Sequence, residues 1–170
     1  DRKEVCIVME SMKRENYDLL ESIAKPILDD KAYYMQFSSV GMMDLNVEKV
    51  MDDSYAISHY GTLNGDAMAD PDVEIKVDLI HRTITPVAYQ NDYVGMYQRN
   101  DSDEVEIELN EFINEWLKGI KDRQYKVTRI LTDENEFNIS DNPKELLRFC
   151  RENGIGHLAA KQKNVSRNER

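Results

Sequence analysis

The sequence predicts an α+β domain, an antiparallel sheet of four to six strands in a meander with two or more helices packed on one face. Three observations carry this. Val73, Ile75, Val77 and Leu79 alternate with Glu74, Lys76 and Asp78, the period-two pattern of a strand with one dry and one wet face. Residues 55–60 before it and 84–89 after it are rich in β-branched and aromatic side chains, and short polar turns join all three, so antiparallel pairing is the economical arrangement. Val105, Leu109, Phe112, Ile113, Trp116, Leu117 and Ile120 form one broad apolar stripe at helical spacing, with Glu108, Glu111, Asn114, Glu115 and Lys118 falling mostly elsewhere. A helix over 104–122 should therefore lie across the sheet, anchored by Phe112 and Trp116.

From the start of the chain, Val5-Cys6-Ile7-Val8-Met9 is an apolar run too short to assign to strand or helix by its period. Tyr17, Leu20, Ile23, Ala24 and Ile27 then recur at three- and four-residue steps, which predicts an amphipathic helix over 16–28 in which Pro26 makes a kink or begins the final turn. Residues 33–37 are aromatic and ambiguous. Met43, Leu45 and Val47 alternate with acids and amides and read as a strand, and Asp52-Asp53-Ser54 turns the chain into the next one. Residues 63–72 read as a loop in which Asn64-Gly65 tolerates positive φ. Residues 93–97 offer a further strand with Gly95 at a bulge, and Asp103 with Glu106 matches a capping box ahead of the long helix. Residues 125–131 are weakly strand-like and 132–140 read as a polar connection. Asp141-Asn142-Pro143 then starts a short helix with Leu146, Leu147, Phe149 and Cys150 on its apolar side, ended by Gly154.

Composition limits the function. With 170 residues and 41% apolar content the chain can bury a real core. Its 33 Asp and Glu against 22 Lys and Arg argue against a broad grip on phosphate backbones, so nucleic acid is not the expected partner of the folded body. Cys6 and Cys150 have no metal-ligand spacing and are expected as buried free thiols in a reducing compartment. No apolar run approaches the length of a membrane span, and a soluble, cytoplasmic protein is expected. The first residue is Asp1, as in a domain cut from a longer polypeptide. The organisation read from these patterns is a helical arm at 1–32, a core domain at 33–125, a strand and helix extension at 126–158, and a polar basic tail at 159–170 that is expected to be disordered.

Several ordered motifs point to a family. Ile57-Ser58-His59-Tyr60, Asn64-Gly65-Asp66 with Met68-Ala69-Asp70-Pro71-Asp72, Tyr89-Gln90-Asn91-Asp92, and Leu109-Asn110-Glu111-Phe112 with Trp116-Leu117 together resemble a bacterial domain-of-unknown-function family. The resemblance covers about 33–125. It implies carriage on plasmids and conjugative elements and brings no activity with it.

The candidate site residues are Asn64, Asp66, Asp70, Asp72, Tyr89, Gln90, Asn91, Asp92 and Tyr97. Converging carboxylates of Asp66, Asp70, Asp72 and Asp92 would suit Mg²⁺ or Ca²⁺, as a metal-dependent phosphodiesterase or nuclease requires. The spacing is not that of an EF-hand loop, and the preferred reading is a structured hairpin connection in which Asp66 or Asp70 caps backbone amides and Pro71 fixes the entry into the next strand, with no metal and no cofactor. Tyr89, Tyr93 and Tyr97 with Gln90, Asn91 and Asp92 either form a recognition groove or pack beneath the helix. His59 shares strand parity with Tyr55 and Ile57 and is expected half-buried and structural. No nucleophile elbow or phosphate-cradling glycine loop is present. The reading preferred is a non-enzymatic interaction or accessory module of a mobile element, one domain of a larger protein, binding another protein. The alternatives are the metal-dependent phosphodiesterase and an acidic DNA mimic that blocks a nuclease.

Overall fold

The computed structural model describes residues 1–160. Most of the expected polar tail therefore lies outside the described residues. The elements run α1 (Arg2–Leu28), β1 (Tyr34–Ser38), β2 (Leu45–Lys49), β3 (Ser54–Leu63), β4 (Asp66–Asp78), β5 (Thr83–Asn91), β6 (Met96–Arg99), α2 (Asp103–Asp122), β7 (Lys126–Leu131), β8 (Glu136–Asn138), α3 (Pro143–Glu152) and a 3₁₀ turn at Gly156–Leu158. The strands form one antiparallel sheet in the order β6-β5-β4-β3-β2-β1-β7-β8. From β1 to β6 the chain meanders toward one edge. After α2 it returns and adds β7 and β8 beyond β1.

The α+β class and the meander stand, but the sheet has eight strands rather than four to six. Two kinds of strand hid. In β1, Met35 and Phe37 are fully buried, and Tyr34 beside Gln36 on the other face blurs the alternation in sequence. β8 is three residues long, too short to display a period; it is held by its pairing with β7 and by the Arg129–Glu136 ion pair. The loop expected at 63–72 is also mostly strand. Asn64 and Gly65 both take positive φ, 51° and 84°, so the reversal is complete in two residues and Asp66 already pairs with Leu63.

Three irregularities interrupt the ladder. One extra residue in β4 lies between Ala69 and Asp72, where Pro71 has no N–H to donate. Another lies at Val87 in β5, whose carbonyl accepts from the Asn100 N–H. The third is Thr128 in β7, whose hydroxyl donates to the Gln36 carbonyl.

One face of the sheet is dry. Phe37, Leu45, Val47, Ile57, Ile75, Ile84 and Val127 are fully buried there and join Leu20, Ile27, Ile113, Leu117 and Ile120 from the helices in one cluster. The opposite face carries Gln36, Asn46, Ser58, Asp72 and Gln90 in register across five strands, and Glu48, Glu74, Lys76, Arg99 and Arg129 stand on the same side.

α1 begins earlier than the predicted 16–28. The run Val5 to Met9 is helical, and Val5, Ile7 and Val8 are exposed, while from Asn16 onward the helix enters the core. Cys6 is exposed, contrary to the buried thiol expected, because it lies on this overhanging first half. Cys150 is buried, and burial pushes its thiol up to about 11. Pro26 kinks α1 at Ala24, whose φ and ψ of −129° and 31° leave the helical region. A proline cannot donate to the carbonyl four residues earlier, here Ser22, and the His157 Nε2 lies 3.0 Å from that oxygen instead.

α2 begins one residue earlier than the capping box implied. Ser102 is the cap, its hydroxyl accepting from the Val105 N–H, while Glu106 turns away to meet Lys13 at 2.6 Å. Asn114, placed on the polar side by its chemistry, is buried. Asn16 Nδ2 donates to the Asn110 carbonyl at 3.1 Å, and Asn114 Nδ2 donates to Asn16 Oδ1 at 2.9 Å, so the contact between the two helices has a polar clasp. Replacing Asn16 with Leu removes both hydrogen bonds and leaves the buried Asn114 amide without this acceptor, and should cost about 1–3 kcal/mol in denaturant unfolding. Trp116→Ala should cost about 3–5 kcal/mol, with unfolding followed by circular dichroism because Trp116 is the single tryptophan.

Candidate functional site

The candidate residues gather at the corner of the sheet made by the β3–β4 hairpin, the end of β5 and β6, and strand alternation divides them between two faces. Tyr89 turns toward α2, its ring meeting Phe112 edge-on with centroids 5.4 Å apart. Asn91 shares its parity and donates from Nδ2 to Asp70 Oδ1 at 3.0 Å, which places that pair on the helix side. Asp72, Gln90 and Tyr97 face the other way, in one row with Ser58. Asp66 is exposed at the start of β4 beside Asn64 in the turn.

Most of the carboxylates serve the backbone or a neighbouring side chain. Asp92 accepts from the Ala69 N–H at 2.8 Å and from Gln90 Nε2 at 2.7 Å, and its own N–H donates to the Ala69 carbonyl. Hydrogen bonds from Gln90 and then from Ala69 hold the Asp92 carboxyl below its usual value. Asp72 accepts from the Tyr60 hydroxyl, and that phenol is raised well above its usual range, by partial burial first and by the Asp72 carboxylate second. Among the described residues no three His, Cys, Asp or Glu side chains converge to hold a cation. Asp70 and Asp72 lie on opposite faces, so the four carboxylates do not share a pocket.

The tyrosines divide as well. Tyr89 belongs to the core, whereas Tyr93, Val94, Met96 and Tyr97 are 46%, 69%, 48% and 62% exposed. Tyr93 lies against Gly61, where any side chain would collide with its hydroxyl, so the β5–β6 turn is seated on the β3–β4 hairpin. Tyr60 and Leu63 on that hairpin are exposed too. The result is an apolar and aromatic cluster wrapped around one corner, with Asp66, Asp70, Asp72 and Asp92 set among it. Tyr60, Leu63 and Met96 were not among the candidates read from sequence. Their signal was weak because Tyr60 and Met96 read as ordinary strand positions and Leu63 as the edge of a loop, and only the pairing of β3 with β4 and of β4 with β5 brings them to one corner.

His59 is a core residue with both ring nitrogens engaged. Trp116 Nε1 donates to its Nε2 at 2.9 Å, so that nitrogen is unprotonated, and its Nδ1 donates to the Asp44 carbonyl at 2.9 Å. Burial lowers its pKa from 6.5, against a smaller opposing effect of the Asp44 carbonyl. His81 sits in the β4–β5 turn with Asp78, 2.7 Å away, and His157 caps the freed carbonyl of α1.

The neutral His59 sets a pH dependence. Below about 6.5 the unfolded chain binds a proton at this position that the folded protein resists, so its contribution to stability is full above that pH and is lost as pH falls through the window beneath it. Urea midpoints measured between about pH 5 and 7 should fall with acidity in the native protein and stay flatter in His59→Gln. An equal slope in both would show that His59 protonates freely.

No helix among the described residues is long and apolar enough to cross a membrane. Comparison with curated proteins and with solved structures gave no match. Against protein families, residues 14–126 match one described as a domain of unknown function. That span starts earlier than the resemblance over 33–125, and it takes in the half of α1 that carries Asn16, Tyr17 and Leu20 into the core. The chain belongs to this family, Domain of unknown function (DUF6908).

Proposed function

We propose that the protein is a non-enzymatic binding module whose contact surface is the corner built from Tyr60, Leu63, Tyr93, Val94, Met96 and Tyr97. The observation that carries this reading is the exposure of these side chains together. Exposed apolar residues are ordinary at turn tips, as at Val40 and Ile80, but Tyr93, Val94, Met96 and Tyr97 lie together on one turn and edge strand, and Tyr93 is seated on the neighbouring hairpin at Gly61. Tyrosine and methionine favour contact, the first as a rigid anchor and the second because its thioether adapts.

The carboxylates around the cluster point to the partner's chemistry. A protein surface presenting apolar side chains flanked by lysine or arginine would be complementary in both shape class and charge. Carriage on a plasmid or conjugative element, and service there as an accessory domain of a larger protein, belong to the same proposal and are supported by the sequence resemblance.

Affinity capture from cells that naturally contain the protein tests it. Tyr97→Ala and Met96→Ala should each weaken a specific protein partner by about 2 kcal/mol, the loss expected at a central contact. Ile80→Ala, at the opposite end of the sheet and 89% exposed, should change nothing. Equal retention of the partner by all three variants, or turnover of a substrate by the purified protein, would overturn the reading.

A further inference from the structure

The sheet ends in two strands with no neighbour on their outer side, β8 and β6. The chain closes the first with its own groups. Asn142 Oδ1 accepts from the Asn138 N–H at 2.6 Å and Asn142 Nδ2 donates to the Glu136 carbonyl at 2.9 Å, so one amide side chain takes the place of a further strand. Ala159 bridges Val127, where β8 does not reach.

β6 has no such cover. Successive pairs of an antiparallel ladder alternate between those that exchange hydrogen bonds and those whose backbone groups face away. The Asn100 N–H donates to the Val87 carbonyl at 2.9 Å, and counting along the register from that bond makes Gln98 with Tyr89 and Met96 with Asn91 the bonded pairs. The N–H and C=O of Tyr97 and Arg99 therefore point outward, and among the described residues no hydrogen bond reaches those four groups. Both residues are exposed, and β6 carries none of the prolines, lysines or bulges that commonly guard an open edge.

Backbone groups repeated at every second residue are matched by another strand, and β6 itself supplies one that fits. About a two-fold axis through Gln98, Tyr97 of one copy faces Arg99 of the other, twice, and all four outward groups are used. Tyr97 and Arg99 share the open face, so each guanidinium meets a phenol ring in an attractive cross-strand pair. Arg99 has no ion pair among the described residues that this contact would have to break. Asp101, the first acid after β6, falls opposite Gly95 of the other copy rather than opposite a carboxylate.

We infer that two copies of this chain join edge to edge along β6, antiparallel about Gln98, in one continuous sheet. The inference rests on reading the corner as a contact surface and names its partner, since a second copy brings Met96 and Tyr97 beside Arg99, the apolar and cationic combination argued above.

Amide hydrogen exchange of the full chain, followed by nuclear magnetic resonance from micromolar to submillimolar concentration alongside sedimentation velocity, is the test. A monomer–dimer equilibrium should appear. The Tyr97 and Arg99 amides should exchange freely in dilute protein and become protected as the dimer forms, whereas Gln98, already bonded to Tyr89, should change little. Arg99→Pro deletes an outward N–H without touching the β5–β6 ladder, and proline is tolerated on an open edge. By symmetry it removes two bonds per dimer, so the dissociation constant should rise at least about tenfold. A monomer throughout, a dimer in which Tyr97 and Arg99 stay unprotected, or an Arg99→Pro protein that dimerises as before would each overturn the inference. The exchange measurement uses the native chain and so decides the matter without the variant. A monomer would leave the corner free to hold a different protein, and Arg99→Pro keeps Tyr97 and Met96, so capture tests the corner separately.

Discussion

The hydrogen bond from the Trp116 indole to His59 fixes how α2 is rotated over the sheet, and much of the remaining geometry follows from that rotation. With Trp116 on His59, Phe112 falls one turn earlier on Tyr89, and Asn110 and Asn114 turn to the side where α1 passes. Asn16 then clasps the second helix to the first. A stripe of aliphatic side chains alone would allow α2 to roll by a fraction of a turn at little cost, since burial is not directional. A buried donor and acceptor do not allow it, because each misplacement leaves a polar atom without a partner.

Much of this was legible in the sequence, and for identifiable reasons. Alternation at Val73, Ile75 and Val77 exposed the central strand because a half-covered sheet imposes a period of two. The spacing from Val105 to Ile120 exposed α2 because one face of a helix must be apolar to lie on it. Asn64-Gly65 marked the hairpin because both positions take positive φ. What stayed hidden has a common cause. Asn16 and Asn114 are polar residues at buried positions, bonded to each other across 98 positions of sequence, and no local pattern reports such a pair. β8 was lost to its length and β1 to the mixture of tyrosine and glutamine on its wet side.

The candidate site shows the same division. Turn chemistry pointed to Asp66 or Asp70 as caps of backbone amides, whereas Asp92 takes the Ala69 amide and Asp70 accepts from the Asn91 side chain. The division of the tyrosines was not readable, since Tyr89, Tyr93 and Tyr97 share one short segment. Their roles separate only once the turn reverses β5 into β6, sending Tyr89 under the helix and leaving Tyr97 on the open face.

The place where the family match stops has a structural meaning. Residue 126 is the first of β7, yet β7 pairs along β1 from Tyr34 to Ser38 and contributes Val127 and Ile130 to the interior. A polypeptide trimmed to the matched span would leave β1 as a bare rim, its backbone unpaired on the side away from β2 and Met35 and Phe37 beside a trench where a neighbour had been. Bare rims of this kind recruit strands from other molecules. The segment beyond the match is thus a seal on the sheet.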